Sequence, residues 1–146
     1  MHLQGIKALI LIGALSVITR LPCLLGDFLT EDLPAIVYNQ DVSGENASWT
    51  STFKNDFHGG NKSASHKPYR PLTTLTFRLN VVLFGNSSIF FHVVNILLHS
   101  INCLLAYKVL KKWETNCAIA FYSALLFSVH PLLTETVGSS IGREEL

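Results

Sequence analysis

The sequence predicts an all-α membrane protein with three transmembrane helices and a long polar loop after the first. Three observations carry that reading. Hydrophobic residues make up 49% of the 146 residues and charged residues only 14%, too apolar a balance for a soluble domain of this size. Three apolar runs each approach the roughly 20 residues that cross a bilayer as helix. A polar stretch, residues 29–88, separates the first run from the second. The net charge of +1 and the scattered Lys and Arg exclude a nucleic-acid-binding stripe.

Residues 1–28 form the first expected span, built on "ALILIGALSVITRLPCLLGDF" from Ala8. Lys7 followed by an apolar run also fits the start of a signal peptide. The segment after Arg20 has no small-x-small cleavage pattern, however, and apolar character resumes there, so a retained helix is expected. Arg20 would cost about 2.5–3.5 kcal/mol at a bilayer centre, and near the helix end it can snorkel or face protein.

The loop over 29–88 opens with two adjacent acids, Glu31 and Asp32. Its part from Ser43 to Lys67 is rich in Ser, Asn, Gly and Lys and reads as flexible. Asn46 and Asn61 begin Asn-x-Ser sequons and are candidate N-glycosylation acceptors, whereas the sequon at Asn86 lies too close to the membrane. Beyond the flexible part, Pro71 can start a helix in "PLTTLTFRLNVVLF". Its Leu72, Leu75, Leu79, Val82 and Leu83 share one face, as expected of an amphipathic helix at the membrane surface.

The second span is expected over 89–110, a short cytoplasmic loop over 111–116, the third span over 117–137 and a lumenal end over 138–146. Lys7 before the first span, and Lys108, Lys111 and Lys112 after the second, place those ends in the cytoplasm by the positive-inside rule, which leaves 29–88 on the lumenal side. His92, Asn95, His99 and Asn102 recur on one face of the second span. Such a face avoids lipid, so it packs against other helices or lines a polar cavity, and more helices are required than three spans supply. In the third span Pro131 should kink or end the helix, and His130, Glu135 and Arg143 follow toward the lumenal side. His130 and Glu135 lack a third ligand at helical spacing, and no metal is expected. Cys23, Cys103 and Cys117 have no pairing or metal spacing and read as buried thiols.

The topology collects Glu31, Asp32, His66, Lys67, Arg70 and Arg143 near one membrane surface. That set suits chemistry on a lipid-linked sugar phosphate. The leaving group is already acidic, so one carboxylate base for an acceptor hydroxyl and Arg or Lys around the phosphate would suffice. The bland reading is that the acids solvate a helix end and the Arg residues bind lipid head groups.

The blocks "GDFLTEDLPAIVYNQDV", "NDFHGGNKSASHKPYRPLTTLTFRLN", "FHVVNILLHSINCLL" and "ALLFSVHPLLTETVGSSIGRE" together resemble the amino-terminal membrane portion of the transmembrane and tetratricopeptide-repeat O-mannosyltransferases, the TMTC family. The resemblance implies a partial GT-C-type multi-span bundle in the endoplasmic reticulum membrane. It implies transfer of mannose from dolichyl-phosphate mannose, a co-substrate and not a cofactor, to Ser or Thr hydroxyls of secretory-pathway proteins such as cadherin-type acceptors. It assigns the base to Glu31 or Asp32 and the donor phosphate to Arg70, then Arg143, then His66. His92, Asn95, His99, Asn102, His130 and Glu135 remain helix-packing or cavity residues.

Three departures bear on that assignment. The family's acidic pair is usually Asp-Asp, against Glu31-Asp32 here, and Leu133 stands where the family tends to have a second His. The chain ends at Leu146, before the remaining membrane helices and the repeats, so the 146 residues alone are expected to be inactive. A rival class is a non-catalytic membrane-embedded interaction subunit.

Overall fold

A computed structural model describes residues 2–44, 48–61, 63, 68–113 and 116–146, with side chains from Gly5 onward. Among these residues the regular structure is helical, with one isolated bridge between Asn55 and Asn61 and no sheet. The α-helices are α1 (His2–Ile18), α2 (Gln40–Ser43), α3 (Pro71–Phe84), α4 (Ser88–Trp113), α5 (Cys117–Val129) and α6 (Leu132–Gly138). Short helical turns at Leu21–Leu25, Leu33–Val37, Ser51–Phe53 and Ile141–Glu144 complete the order.

The long apolar helices pack on one another first. Ile12 of α1, Cys103 and Tyr107 of α4, and Ala120 and Ala124 of α5 form one core. Small residues let the backbones approach, as they do between helices in lipid. The Ser16 hydroxyl of α1 bonds the Ser100 hydroxyl of α4 at 2.9 Å, which fastens α1 to α4. The outward faces carry Ile10, Ile18, Leu97, Ile101, Leu105, Ile119 and Leu126, all exposed. Gly5–Leu25 and Ser88–Trp113 are long and apolar enough to cross a membrane.

The third candidate span is broken. α5 and α6 meet at an angle of 54°, because Pro131 has no N–H to continue the ladder and its ring disfavours helix at the residue before it. The Leu132 N–H turns to His130 Nδ1 at 3.3 Å instead. The span expected over 117–137, with a kink or end at Pro131, is thus two helices, and the carbonyls at the break are taken up by Arg20 Nη2 and by the N–H groups of Leu133 and Thr134.

Above the bundle lies a second core of Ala35, Ile36, Val42, Phe57, Phe77 and Phe91, with Phe28, Val81 and Ile141 packed on it. Phe28, Phe91, Phe77 and Phe57 follow one another at centroid distances of 5.6, 5.9 and 6.0 Å. The loop expected to be flexible over Ser43–Lys67 is tightly bonded where it is described. Asn39 caps α2 through the Asp41 N–H and donates to the carbonyls of Ala35 and Phe57. The Asp41 carboxylate accepts from Ser51 Oγ and Asn55 Nδ2. Asp56 Oδ1 accepts the N–H groups of His58 and Gly60. Between them Gly59 sits at φ +81°, where a Cβ would lie 2.5 Å from Asn39 Oδ1. These are the residue types that read as disorder by composition; here each side chain satisfies a turn.

α3 is turned with its polar side inward. Thr74, Phe77, Arg78 and Asn80 are buried, while Leu72, Leu79, Val82 and Leu83 are exposed. The apolar face read from the sequence therefore looks away from the protein.

Candidate functional site

Glu31 and Asp32 are adjacent in sequence and opposite in environment. The backbone turns at this point into the helical turn Leu33–Val37, which Pro34 starts, and this sends one acid inward and the other out. Asp32 is 0% exposed. Its Oδ2 accepts the Leu29 N–H at 2.8 Å, and its Oδ1 accepts the Ile141 N–H at 2.9 Å and the Ser139 hydroxyl at 3.3 Å. A buried carboxylate needs such donors, and these fasten the first loop to the segment that follows α6. Glu31 is exposed and lines a cleft of about 450 Å³ together with Glu135, Thr136, Ser139, Glu144 and Glu145.

Arg143 is the centre of the cap. It is 6% exposed and every guanidinium nitrogen donates. Nε bonds Asn95 Oδ1 at 2.9 Å; Nη1 bonds the Thr76 carbonyl and hydroxyl at 3.2 and 3.4 Å; Nη2 bonds Asn80 Oδ1 and the Phe91 carbonyl at 3.2 and 3.3 Å. Its charge also lies over the rings of Phe77 and Phe91, at 5.1 and 5.2 Å. Burial pushes its pKa down to about 10, which leaves it charged at neutral pH. A guanidinium committed in this way joins α3, α4 and the last turn. Gly142 makes the approach possible, since a Cβ there would overlap the Thr136 carbonyl oxygen.

Arg70, at the start of α3, is part-exposed, forms an ion pair with Glu144 and lies 5.9 Å from the centroid of the Phe57 ring. The Glu144 contact raises its pKa. The remaining candidate phosphate ligand, His66, its neighbour Lys67 and the acceptor Asn46 lie outside the described residues. Asn61 is exposed. Glu135 is exposed on the cleft, and His130 is exposed while its carbonyl accepts from Arg20 Nη2 at 2.8 Å. Arg20 is buried at the end of the first span, so it faces protein, one of the two options the sequence left open.

The stripe on α4 does not need further helices for most of its bonds. Asn95 donates to the carbonyls of Ser139 and Ser140, His99 Nε2 lies 3.3 Å from the Ser128 carbonyl oxygen, and Asn102 donates to the Leu146 carbonyl. The acceptors are backbone carbonyls of α5 and of the residues after α6, a source that side-chain spacing cannot show. His92 is the exception: it is 0% exposed beside Gly26, and neither ring nitrogen finds a partner among the described residues. The cysteines divide as well. Cys103 is buried beside His99, Cys23 is half-buried and Cys117 is exposed at the start of α5, so the expectation of three buried thiols holds for one.

Sequence reasoning missed the distant donors to Asp32, Ser139 and Ile141, and the carboxylates of Glu144 and Glu145, all from the last few residues. Among the described residues no three His, Cys, Asp or Glu side chains converge as metal ligands. Chemically, the arrangement offers an open acidic cleft whose wall is held by Asp32 and Arg143, with one arginine, Arg70, at its edge through Glu144.

No family model and no solved structure matches the chain. Curated relatives do. It is 43% identical over 148 aligned residues to the protein O-mannosyl-transferase F38B6.6 of Caenorhabditis elegans, an alignment that covers 98% of this chain and 21% of the relative. It is 41% identical to the human protein O-mannosyl-transferase TMTC1 over 92% of this chain and 16% of the relative, and 37% identical to human TMTC4 over 95% and 21%. The chain thus spans about a fifth or less of the length of these relatives.

Proposed function

The chain is homologous to the TMTC protein O-mannosyl-transferases along nearly its whole length, and from that relationship we propose that it forms the acceptor-activating part of such an enzyme, with Glu31 as the base. The observation that carries this is the split between the two acids: Glu31 stands free on the cleft, while both Asp32 oxygens are occupied by the protein. An acceptor Ser or Thr oxygen would attack C1 of mannose on dolichyl-phosphate mannose. The bond from C1 to the phosphate oxygen breaks, dolichyl phosphate leaves, and Glu31 takes the hydroxyl proton. Asp32 positions that base by fixing the turn on which it sits.

The donor phosphate would approach from the Arg70 side. Glu31, Glu135, Glu144 and Glu145 make the cleft itself repulsive to an anion, and Arg143 has no donor to spare. Arg70 would have to exchange Glu144 for phosphate, and further cations would come from the additional length that the relatives have. The same reading puts the chain in a GT-C bundle of the endoplasmic reticulum membrane, with 29–88 lumenal, α3 on the membrane surface and cadherin-type proteins as acceptors. It also makes the 146 residues alone inactive in transfer. The rival reading as a docking subunit rests on the α4 stripe; Asn95, His99 and Asn102 are bonded within the chain, which leaves His92 alone of the four to support it.

The test is a chimera in which these 146 residues replace the matching segment of the human relative, assayed for mannose transfer from dolichyl-phosphate mannose to a cadherin domain. The chimera should transfer, and its Glu31→Gln form should lose at least about 10²-fold, the scale of general base catalysis. Full activity of Glu31→Gln would refute the assignment.

A further inference from the structure

At the end of the bundle opposite the acidic cleft, the start of α1, the end of α4 and the start of α5 enclose a second groove of about 400 Å³, within the range of ligand sites. Its floor is apolar, from Leu11, Ala118 and Phe121, and Lys7 and Lys111 stand on its lining. Lys111 folds back over α1, where Gly5 leaves room: a Cβ there would lie 3.0 Å from Lys111 Nζ. The ammonium also lies 5.9 Å from the centroid of the Tyr107 ring. Tyr122 at 65% and Trp113 at 81% exposure surround the same end, the placement of aromatic residues at a membrane interface.

We infer that this groove binds one anionic phospholipid of the leaflet on that side, its phosphate between Lys7 and Lys111 and an acyl chain along Leu11 and Phe121. Charge complementarity selects this occupant. Among the described residues neither lysine is paired with a carboxylate; Glu114 lies outside them. A covering protein helix would bury both ammonium groups, which costs several kcal/mol per ion unless it brings acids. A zwitterionic lipid would satisfy the floor and leave the charge of the rim uncompensated. The site is separate from the transfer chemistry and does not rest on it.

Native mass spectrometry of the detergent-solubilised chain, titrated with phosphatidylserine, phosphatidylcholine or inorganic phosphate, tests the proposal. One phosphatidylserine adduct should form at roughly 5- to 20-fold lower concentration than phosphatidylcholine, and each of Lys7→Gln and Lys111→Gln should weaken it about fivefold, the effect of one basic residue near an anionic surface. Ala118→Trp, which fills the floor without touching charge, should also abolish the adduct. Lys108→Gln, outside the groove, should leave it intact, and circular dichroism should confirm unchanged helix content. Equal binding of the two lipids, saturation by phosphate alone, or an adduct indifferent to both lysine changes would overturn the site.

Discussion

Replacing Asp32 by asparagine keeps the size of the side chain and removes the charge and one acceptor. In the folded chain Oδ2 serves the Leu29 N–H, and Oδ1 serves the Ile141 N–H and the Ser139 hydroxyl. The amide that replaces the carboxylate can place its oxygen at only one of these two positions, so its NH₂ faces a main-chain N–H at the other. One buried donor is then orphaned, at about 1–3 kcal/mol, and the surviving bonds lose charge assistance, for a total of roughly 2–4 kcal/mol. Glu31→Gln, one residue away and exposed, should stay within about 0.5 kcal/mol of the parent. Reversible unfolding in mixed micelles by graded denaturing detergent, followed by circular dichroism, reads both. If Asp32→Asn is as stable as the parent, or Glu31→Gln is equally damaged, the division into an anchoring and a free carboxylate is wrong.

Other expectations follow from the same cap. Arg143→Met leaves the oxygens of Asn95, Asn80, Thr76 and Phe91 without their donor and, at about 1–3 kcal/mol for each buried acceptor left unsatisfied, should cost roughly 3–5 kcal/mol by the same assay. Arg143→Lys, with a single nitrogen, should recover less than half of that loss. Gly142→Ala should lower the thermal midpoint clearly and loosen the last turn, seen as faster amide exchange over 139–144, because its Cβ meets a backbone oxygen and not a movable side chain. Arg70→Gln breaks a part-exposed ion pair and should change stability by less than about 1 kcal/mol, while in the active chimera it should raise the KM for dolichyl-phosphate mannose.

The sequence made the spans legible because their length and composition answer directly to the bilayer, and Pro131 marked the break in the third. The inward turn of His92, Asn95 and His99 followed from their spacing alone. What spacing could not show was the identity of their partners, since main-chain carbonyls carry no residue signature. For the same reason the acidic pair read as two equivalent candidates, and the donors that separate them sit over a hundred positions away in Ser139 and Ile141. The polar loop misled for a different reason. Ser51, Asn55 and Asp56 have the composition of disorder, and only the geometry of each turn shows that their side chains are spent on it.

The bonding of α4 also sets a schedule for biosynthesis. Asn95 is joined to Ser139 and Arg143, 44 and 48 positions downstream. At ribosomal rates of about 5–20 residues per second, α4 waits several seconds for those groups. During that interval its polar face has neither water nor a protein acceptor if it has already moved into lipid. Lateral release of α4 from the translocon should therefore lag its synthesis and be triggered by the emergence of residues 139–143, so that a ribosome stalled before Ser139 would hold α4 at the channel.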